Sequence, residues 1–526
     1  MMIRILLTKC ILLNLLLACL FFQLQAQRSN NVFDKSSDVG NPKHKGSSEF
    51  DEATQTYTLR GSGYNIWFNR DEFHYLHKKL GGDFILTADF KFSNEGGDAH
   101  KKIGWMLRES LDESSAHISA VVHGDGLTAL QWRLLRGAYM RDPEDEIFFS
   151  KKTPFRIIQL ERSGRMLIMR VANPGEPLQE VGRCKMQSMR DSVFVGLFIN
   201  SHDSNRIEEA KVWNVRIDKP VQNKYEPNPI VARNLKSYRG EMASRLEILD
   251  VTTGHRSIIH ESASRFEAPN WMPDGRKLLF NEGGALFTIP VEGGPAEKLN
   301  TGDANRNNND HGISFDKKKL AISHHRAGMR GGGSTVYVMP LSGGTPMLIT
   351  DSTPSYFHGW APNNKEVLIV AQRGTGETYN LFKVDVNTKR ETALTNNTTG
   401  HVDGPEYSPD GKFIYFNANS TGTMQIWRMK PDGTGKEQLT FDEYHNWFPH
   451  ISPDGKWIAF ISFPPDIEPA SHPSFKRVML RLMPASGGAP RVIAHLYGGQ
   501  GTINVNSWSP DSKRLAFVSN SEPLRK

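Results

Sequence analysis

From residue 244 to the C-terminus, short apolar stretches and turn residues alternate at a near-constant spacing. Phe448 to Ser462 displays the unit. A short apolar strand runs into Pro453-Asp454-Gly455 and returns as a second strand, in which Ile458 and Phe460 alternate with Ala459 and Ile461. Proline presets φ at the second turn position, and Asp and Gly suit the next two, so the chain reverses there. Apolar residues at both phases of the alternation predict a strand covered on both faces. The turn core recurs from Met272, Ser314, Ala361, Ser408, Ser452 and Ser509, at intervals of 42, 47, 47, 44 and 57 residues. The second copy lacks the proline but keeps Asp316 and the strand 320–323. Two further strands follow each of the first five turns, whereas the sixth copy stops after its hairpin. The missing pair stands at the front, as 244–250 and 256–260. A period of this length with four strands per unit predicts a β-propeller. The transposed pair predicts six blades, with the strands of 244–260 completing the last one and hiding its edges.

Upstream the pattern is also one of strands. Nine are predicted over 49–218, at 56–59, 84–90, 103–108, 118–122, 129–133, 156–162, 166–170, 193–198 and 210–215. So many short strands with no convincing helix predict a two-sheet sandwich. Residues 27–48 read as a polar, flexible leader, and 219–243 as a Pro- and Asn-containing linker to the propeller domain at 244–526.

Composition narrows the class. The 526 residues include 46 Gly, and 10% are aromatic, which suits an all-β chain. The formal charge of +7 is small for this length and its Lys and Arg are scattered, so no nucleic-acid partner is expected. Arg4 and Lys9, the apolar run 10–22 and Leu24-Gln25-Ala26 predict a signal peptide over 1–26 and export to the periplasm or cell surface. Leu16-Leu17-Ala18-Cys19 resembles a lipoprotein box, so membrane attachment would run through a lipid on Cys19. Beyond the signal only Cys184 remains, and no intrachain disulfide can form.

Two resemblances follow from these residues. Ile103 to Arg133, with the closing runs at 193–203 and 210–217, resembles the concanavalin-A-like jelly-roll family. That likeness implies a β-sandwich and, more weakly, a lectin-like role. The six turn cores, with Lys298-Leu299 and Gln438-Leu439-Thr440, resemble the propeller of TolB and its relatives. The expected architecture is therefore all-β, a jelly roll followed by a six-bladed TolB-like propeller.

Candidate chemistry lies where each inner strand enters from the channel mouth. The position six before the turn proline, or its equivalent, is Glu267, Asn309, Tyr356, Asp403, Trp447 and Asn504. Asp310, His311, His358, His401, His445 and Gln500 are their neighbours in the same approaches. Second-to-third-strand loops add His324, His325, Arg326 and Arg373, and a long insertion in the fifth blade adds His472. This set predicts a ligand pocket for a saccharide or envelope polymer. Imidazole and carboxylate suit a divalent metal, so His311, His358, His401 and His445 are the candidate ligands, although no paired motif fixes them. A metal-assisted carbohydrate-active enzyme and a protein-interaction scaffold are the alternatives. In the sandwich, Trp105, Trp132, Arg108, Gln131 and Arg133 are candidates for a sugar platform, with Trp105 the one assigned to the core.

Overall fold

The structure is a computed structural model that describes residues 29–140, 145–149, 154–221, 242–374 and 378–523. The expected signal peptide and most of the expected linker lie outside the described residues. From Val32 onward the chain forms one compact unit.

The N-terminal part is a sandwich of two seven-stranded antiparallel sheets. One sheet runs in the order 35–39, 73–80, 193–200, 102–108, 117–123, 128–133, 146–148. The other runs 179–185, 166–172, 157–163, 84–92, 203–218, 56–63, 47–51. All nine expected strands are present. Their inward alternation places Leu59, Trp105, Leu107, Ile118, Leu160 and Val212 in one core between the sheets. Trp105 is fully buried, and its indole donates to the Ile158 carbonyl at 3.2 Å.

Two expectations need correction here. Residues 27–48 are not wholly a flexible leader, because Lys35–Val39 and the start of Ser47–Asp51 are strands. Lys35–Val39 pairs with Phe73–Leu80, and Asp38 accepts from His74 Nδ1 at 2.8 Å. Backbone pairing and one buried valine, Val39, hold this polar stretch, so apolar alternation could not reveal it. The sugar platform is likewise spent on structure. The outer face of the first sheet carries a second small core under the hairpin 66–71, including Ile66, Met106 and Val121. From that hairpin Asp71 accepts from Arg108 Nη1 at 2.7 Å and from both terminal nitrogens of Arg133 at 2.8 and 2.7 Å. Trp132 belongs to the main core, and Gln131 donates to Glu146.

The C-terminal part is a ring of six small sheets. Blades 1 to 5 are four-stranded and begin at Phe266, Asn307, Ser355, Val402 and His445. In the sixth, Ala243–Asp250 lies between Arg256–Ser262 and Arg514–Ser521, so strands from the start of the domain pair with the last strand of the chain. The repeated turn has a local cause. In Ser452-Pro453-Asp454-Gly455, Ser452 Oγ donates to Asp454 Oδ1 at 2.6 Å, while Asp454 Oδ1 accepts from the Lys456 amide at 3.1 Å. The fourth turn position has positive φ in every copy: Gly275, Lys317, Asn364, Gly411, Gly455 and Ser512. Only glycine takes that conformation without Cβ strain.

The sandwich docks on the propeller through charges that are fully buried. On 203–218 the inward residues Val212, Val215 and Ile217 join the core, leaving Arg216 and Asp218 on the outer face. Arg216 Nη2 donates to Glu247 Oε2 at 2.7 Å, and Arg256 grips both oxygens of the same carboxylate at 3.0 Å. Arg245 closes on Asp218 at 2.5 Å. Burial alone would push the Glu247 carboxyl up, but Arg216 and Arg256 outweigh it and hold it at about 2. Arg477 adds a further ion pair, to Glu161 of the sandwich.

Candidate functional site

The inner strands do not run straight into the mouth. In each of blades 1 to 5 the register with the second strand shifts near its mouth end, between Glu267 and Asn270, Asn307 and His311, Phe357 and Gly359, Asp403 and Glu406, and Trp447 and His450. Such bulges re-aim the side chains around them. In three blades the bulge contains a residue of positive φ followed by proline: Ala268 at 56°, Gly404 at 58° and Phe448 at 54°. The residues just before these are Glu267, Asp403 and Trp447, all named from sequence as site candidates. Ala268 and Phe448 carry a Cβ in the left-handed region, a strain that persists where surrounding packing enforces it. The Phe448 amide donates to Asn417 Oδ1 at 3.0 Å, and the Ala268 amide to the Gly501 carbonyl at 2.8 Å.

The bulges assemble blades 3, 4 and 5 around Asp403. His358 Nε2 lies 3.0 Å from Asp403 Oδ1, His401 Nε2 lies 3.4 Å from Oδ2, and His472 Nε2 lies 3.9 Å from the same oxygen. Burial would raise the Asp403 carboxyl, yet the neighbouring His358 charge and the hydrogen bonds from His358 and His401 hold it well below the usual carboxylate range. Burial acts to deprotonate His358, and Asp403 more than offsets this, so the imidazole is raised. His472 goes the other way, lowered mainly by burial.

Aromatic rings line this cluster. Phe448 stacks on His358 with 6.2 Å between centroids. Trp447 meets His472 edge-on at 4.4 Å and His401 at 5.5 Å. Tyr379 packs against His401 at 5.6 Å, and Tyr356 lies 6.1 Å from Tyr379. Trp447 is fully buried, and its indole N–H has no hydrogen-bond partner among the described residues.

Beside this cluster the mouth is acidic. Asp310 is buried, and burial, with Asp403 and Glu267 nearby, pushes its carboxyl up to about 7. Asn308 Nδ2 donates to it at 2.7 Å. Arg265 holds Glu267 at 2.9 Å and reaches the Gln500 carbonyl at 3.3 Å, while Asn504 Nδ2 donates to Gln500 Oε1 at 2.9 Å. Asn309 is buried alongside.

The four-histidine metal set is not assembled. His358 and His401 meet at Asp403, but His311 and His445 make no hydrogen bond or ion pair with them among the described residues. His311 is buried, which lowers it to about 4, and His445 Nδ1 accepts from the Met424 amide at 3.4 Å. Among the described residues no group of three or more His, Cys, Asp or Glu side chains is arranged to hold a metal ion.

The loop candidates serve their own blades. Arg373 forks onto Glu391 at 2.7 and 2.8 Å. His324 accepts from the Arg306 amide at 3.2 Å, His325 donates to the Gly332 carbonyl at 3.0 Å, and Arg326 sits in the same half-buried loop. Tyr379 and Arg265 were missed as site residues. Tyr379 lies outside the repeat register that marked the strand approaches, and only its place in a second-to-third-strand loop points to it.

This fold and mouth define a six-bladed β-propeller whose polar centre is built from several blades. A family model described as the TolB β-propeller domain matches residues 358–469. The uncharacterized protein Atu1656 of Agrobacterium fabrum is 42% identical over 280 residues, covering 53% of this chain and 93% of that protein. The solved structure of a putative TolB from Agrobacterium tumefaciens is 41% identical and covers 53% of this chain and 99% of that one, with a TM-score of 0.50. The Tol-Pal system protein TolB of Anaeromyxobacter dehalogenans is 27% identical over 100 residues, covering 19% of this chain and 22% of that protein. The C-terminal half of this chain belongs to the TolB-like β-propeller family.

Proposed function

We propose that this chain is an exported binding protein whose propeller mouth takes a saccharide or an envelope polymer. The observation that carries the reading is Asp403, a buried carboxylate reached by histidines from blades 3, 4 and 5 and ringed by Trp447, Phe448 and Tyr379. Of these rings the half-buried Tyr379, with its neighbour Tyr356, offers a face to a sugar ring while the buried Trp447 and Phe448 hold the histidines in place, and imidazoles that can donate or accept suit hydroxyl and amide groups. A glycan array together with soluble peptidoglycan fragments, read with wild type and Asp403→Asn, tests it. Binding by wild type that Asp403→Asn loses supports the reading. Absence of binding to both probe sets overturns it.

A second reading rests on two carboxyl groups driven apart. Asp403 stays ionised while Asp310 holds its proton to about pH 7. Such a pair is the arrangement by which one site supplies a base and an acid. Turnover of a bound glycan that Asp310→Asn abolishes, with binding retained, would make the site catalytic. Among the described residues the four histidines named as metal ligands do not converge, so this second reading rests on the two carboxyl groups.

A further inference from the structure

In blade 1 the second and third strands are joined by Gly283-Gly284 alone, whereas in blade 5 they are joined by residues 464–475. We infer that the later part of this insertion, 468–475, is a strap that closes over Asp403 and swings aside to admit a ligand. The inference rests on the reading that a ligand reaches Asp403.

Burial creates the need for a gate. Asp403 is 8% exposed, Phe448 2% and Trp447 not at all, so the centre is closed as it stands. His472 is its outermost member, with 26% of its side chain exposed. Its ring meets Trp447 edge-on at 4.4 Å and Phe448 at 5.3 Å, and its Nε2 lies 3.9 Å from Asp403 Oδ2. The other two histidines are tied to the blades. His358 lies within the inner strand Ser355–Trp360, and the His401 amide donates to Asn419 Oδ1 at 2.7 Å. Residues 464–475 belong to no strand, so His472 can leave without unpairing a sheet.

The hold on the strap is light and local. Ile467 packs on the core of blade 5 and fixes the first part of the insertion. Further along, the Gln500 amide donates to the Pro473 carbonyl at 3.3 Å. Gly499 makes this seat possible: a Cβ there would lie 2.1 Å from the Pro473 carbonyl oxygen. The remaining anchor is Arg265. Its Nη2 donates to Ser474 Oγ at 3.0 Å, and its guanidinium lies over the Phe475 ring at 5.4 Å. The same nitrogen reaches Glu267 at 2.9 Å and the Gln500 carbonyl at 3.3 Å, so Arg265 keeps partners when the strap departs. Phe475, at the joint with Lys476–Pro484, has a left-handed φ of 62°, a strain that the closed position enforces. A segment with few backbone bonds and no sheet partner is where a fold opens most readily. With the strap aside, Asp403 keeps His358 and His401, and its Oδ2 gains a free face for a ligand hydroxyl or N–H.

Hydroxyl-radical footprinting of the full chain, read by peptide mass spectrometry, tests the gate without any ligand. Arg265→Ala and Gly499→Ala loosen the strap from two different elements, and neither residue contacts Trp447 by ring stacking or hydrogen bond among the described residues. Each should raise oxidation of Trp447 at least threefold over wild type. Phe460 and Phe517, buried elsewhere in blades 5 and 6, should be oxidised at the wild-type rate in both variants. Trp447 oxidation unmoved by both substitutions overturns the inference. A parallel rise at Phe460 and Phe517 in both variants marks general loosening and overturns it as well. The glycan tests of the mouth are read separately. Strap-dependent exposure of Trp447 without glycan binding supports the strap and counts against the saccharide.

Discussion

At the domain seam a buried glutamate is held by arginines; at the propeller mouth a buried aspartate is held by histidines. Glu247 accepts from Arg216 and Arg256, both buried, at 2.7 to 3.2 Å. Asp403 faces His358, His401 and His472 at 3.0 to 3.9 Å. A guanidinium cannot shed its proton and presents a rigid fork, so the seam has one protonation state. An imidazole changes state near neutral pH and can donate or accept, so the mouth has several. The difference teaches which buried charges are scaffold and which are available for chemistry. At the seam the carboxylate oxygens are saturated. At the mouth the Trp447 indole N–H and one buried nitrogen of His445 remain without protein partners among the described residues.

The largest test removes the seam's anion. Glu247→Ala strands two buried guanidinium groups and should destabilise the chain by roughly 3–5 kcal/mol in denaturant unfolding. The Glu247 carboxyl is held below its unfolded value, so its contribution is present above about pH 4.5 and lost as pH falls toward about 2. Asp403→Asn should be milder, about 1–2 kcal/mol near pH 7, because His358 can release its proton when its partner goes. If the two substitutions destabilise equally, the distinction between lock and adjustable site fails.

The third test is pH. Asp310 is raised in the folded state to about 7, so the native chain holds an extra proton above its ordinary carboxyl range, and stability falls as pH rises from about 4 through 7. His358 is also raised, so its contribution is present below about pH 6.5 and lost as pH climbs past its folded value. Thermal unfolding should therefore show stability declining as pH rises from about 5 to 7, and Asp310→Asn should flatten that slope. A slope unchanged by Asp310→Asn would contradict the shift. The smallest effect lies at a turn far from both regions. Lys317 occupies a left-handed position that four of the six copies fill with glycine or asparagine. Lys317→Gly should stabilise by about 1 kcal/mol in thermal melts and leave ligand binding unaltered.

Much of this was legible in the sequence, for identifiable reasons. The propeller announced itself because Ser-Pro-Asp-Gly-Lys is a self-contained hydrogen-bonded turn, repeated at a fixed period. Repetition also pointed to Glu267, Asp403 and Trp447, since one strand position leads to one place in the ring. The strand Phe73–Leu80 was missed because His74, His77, Lys78 and Lys79 break the apolar alternation, although the strand pairs on both sides. The grouping of the mouth histidines was not legible. His311 and His358 stand two places after the aligned strand position and His401 and His445 two places before it, yet the bulges bring His358 and His401 to one carboxylate and leave His311 and His445 elsewhere. His472 joins them from an insertion that no register could align. The seam was hidden for a different reason. Arg216, Asp218, Arg245 and Glu247 read as ordinary outward charges on two strands, and only the docking of two domains buries them.

The most direct test of the mouth as an adjustable site is a histidine NMR titration of the full chain, with the His358 signal assigned by its loss in His358→Gln. His358 should stay protonated at pH values above the ordinary 6.5 and return toward that value in Asp403→Asn. A wild-type His358 that titrates at or below its ordinary value, or one indifferent to Asp403→Asn, would contradict the account.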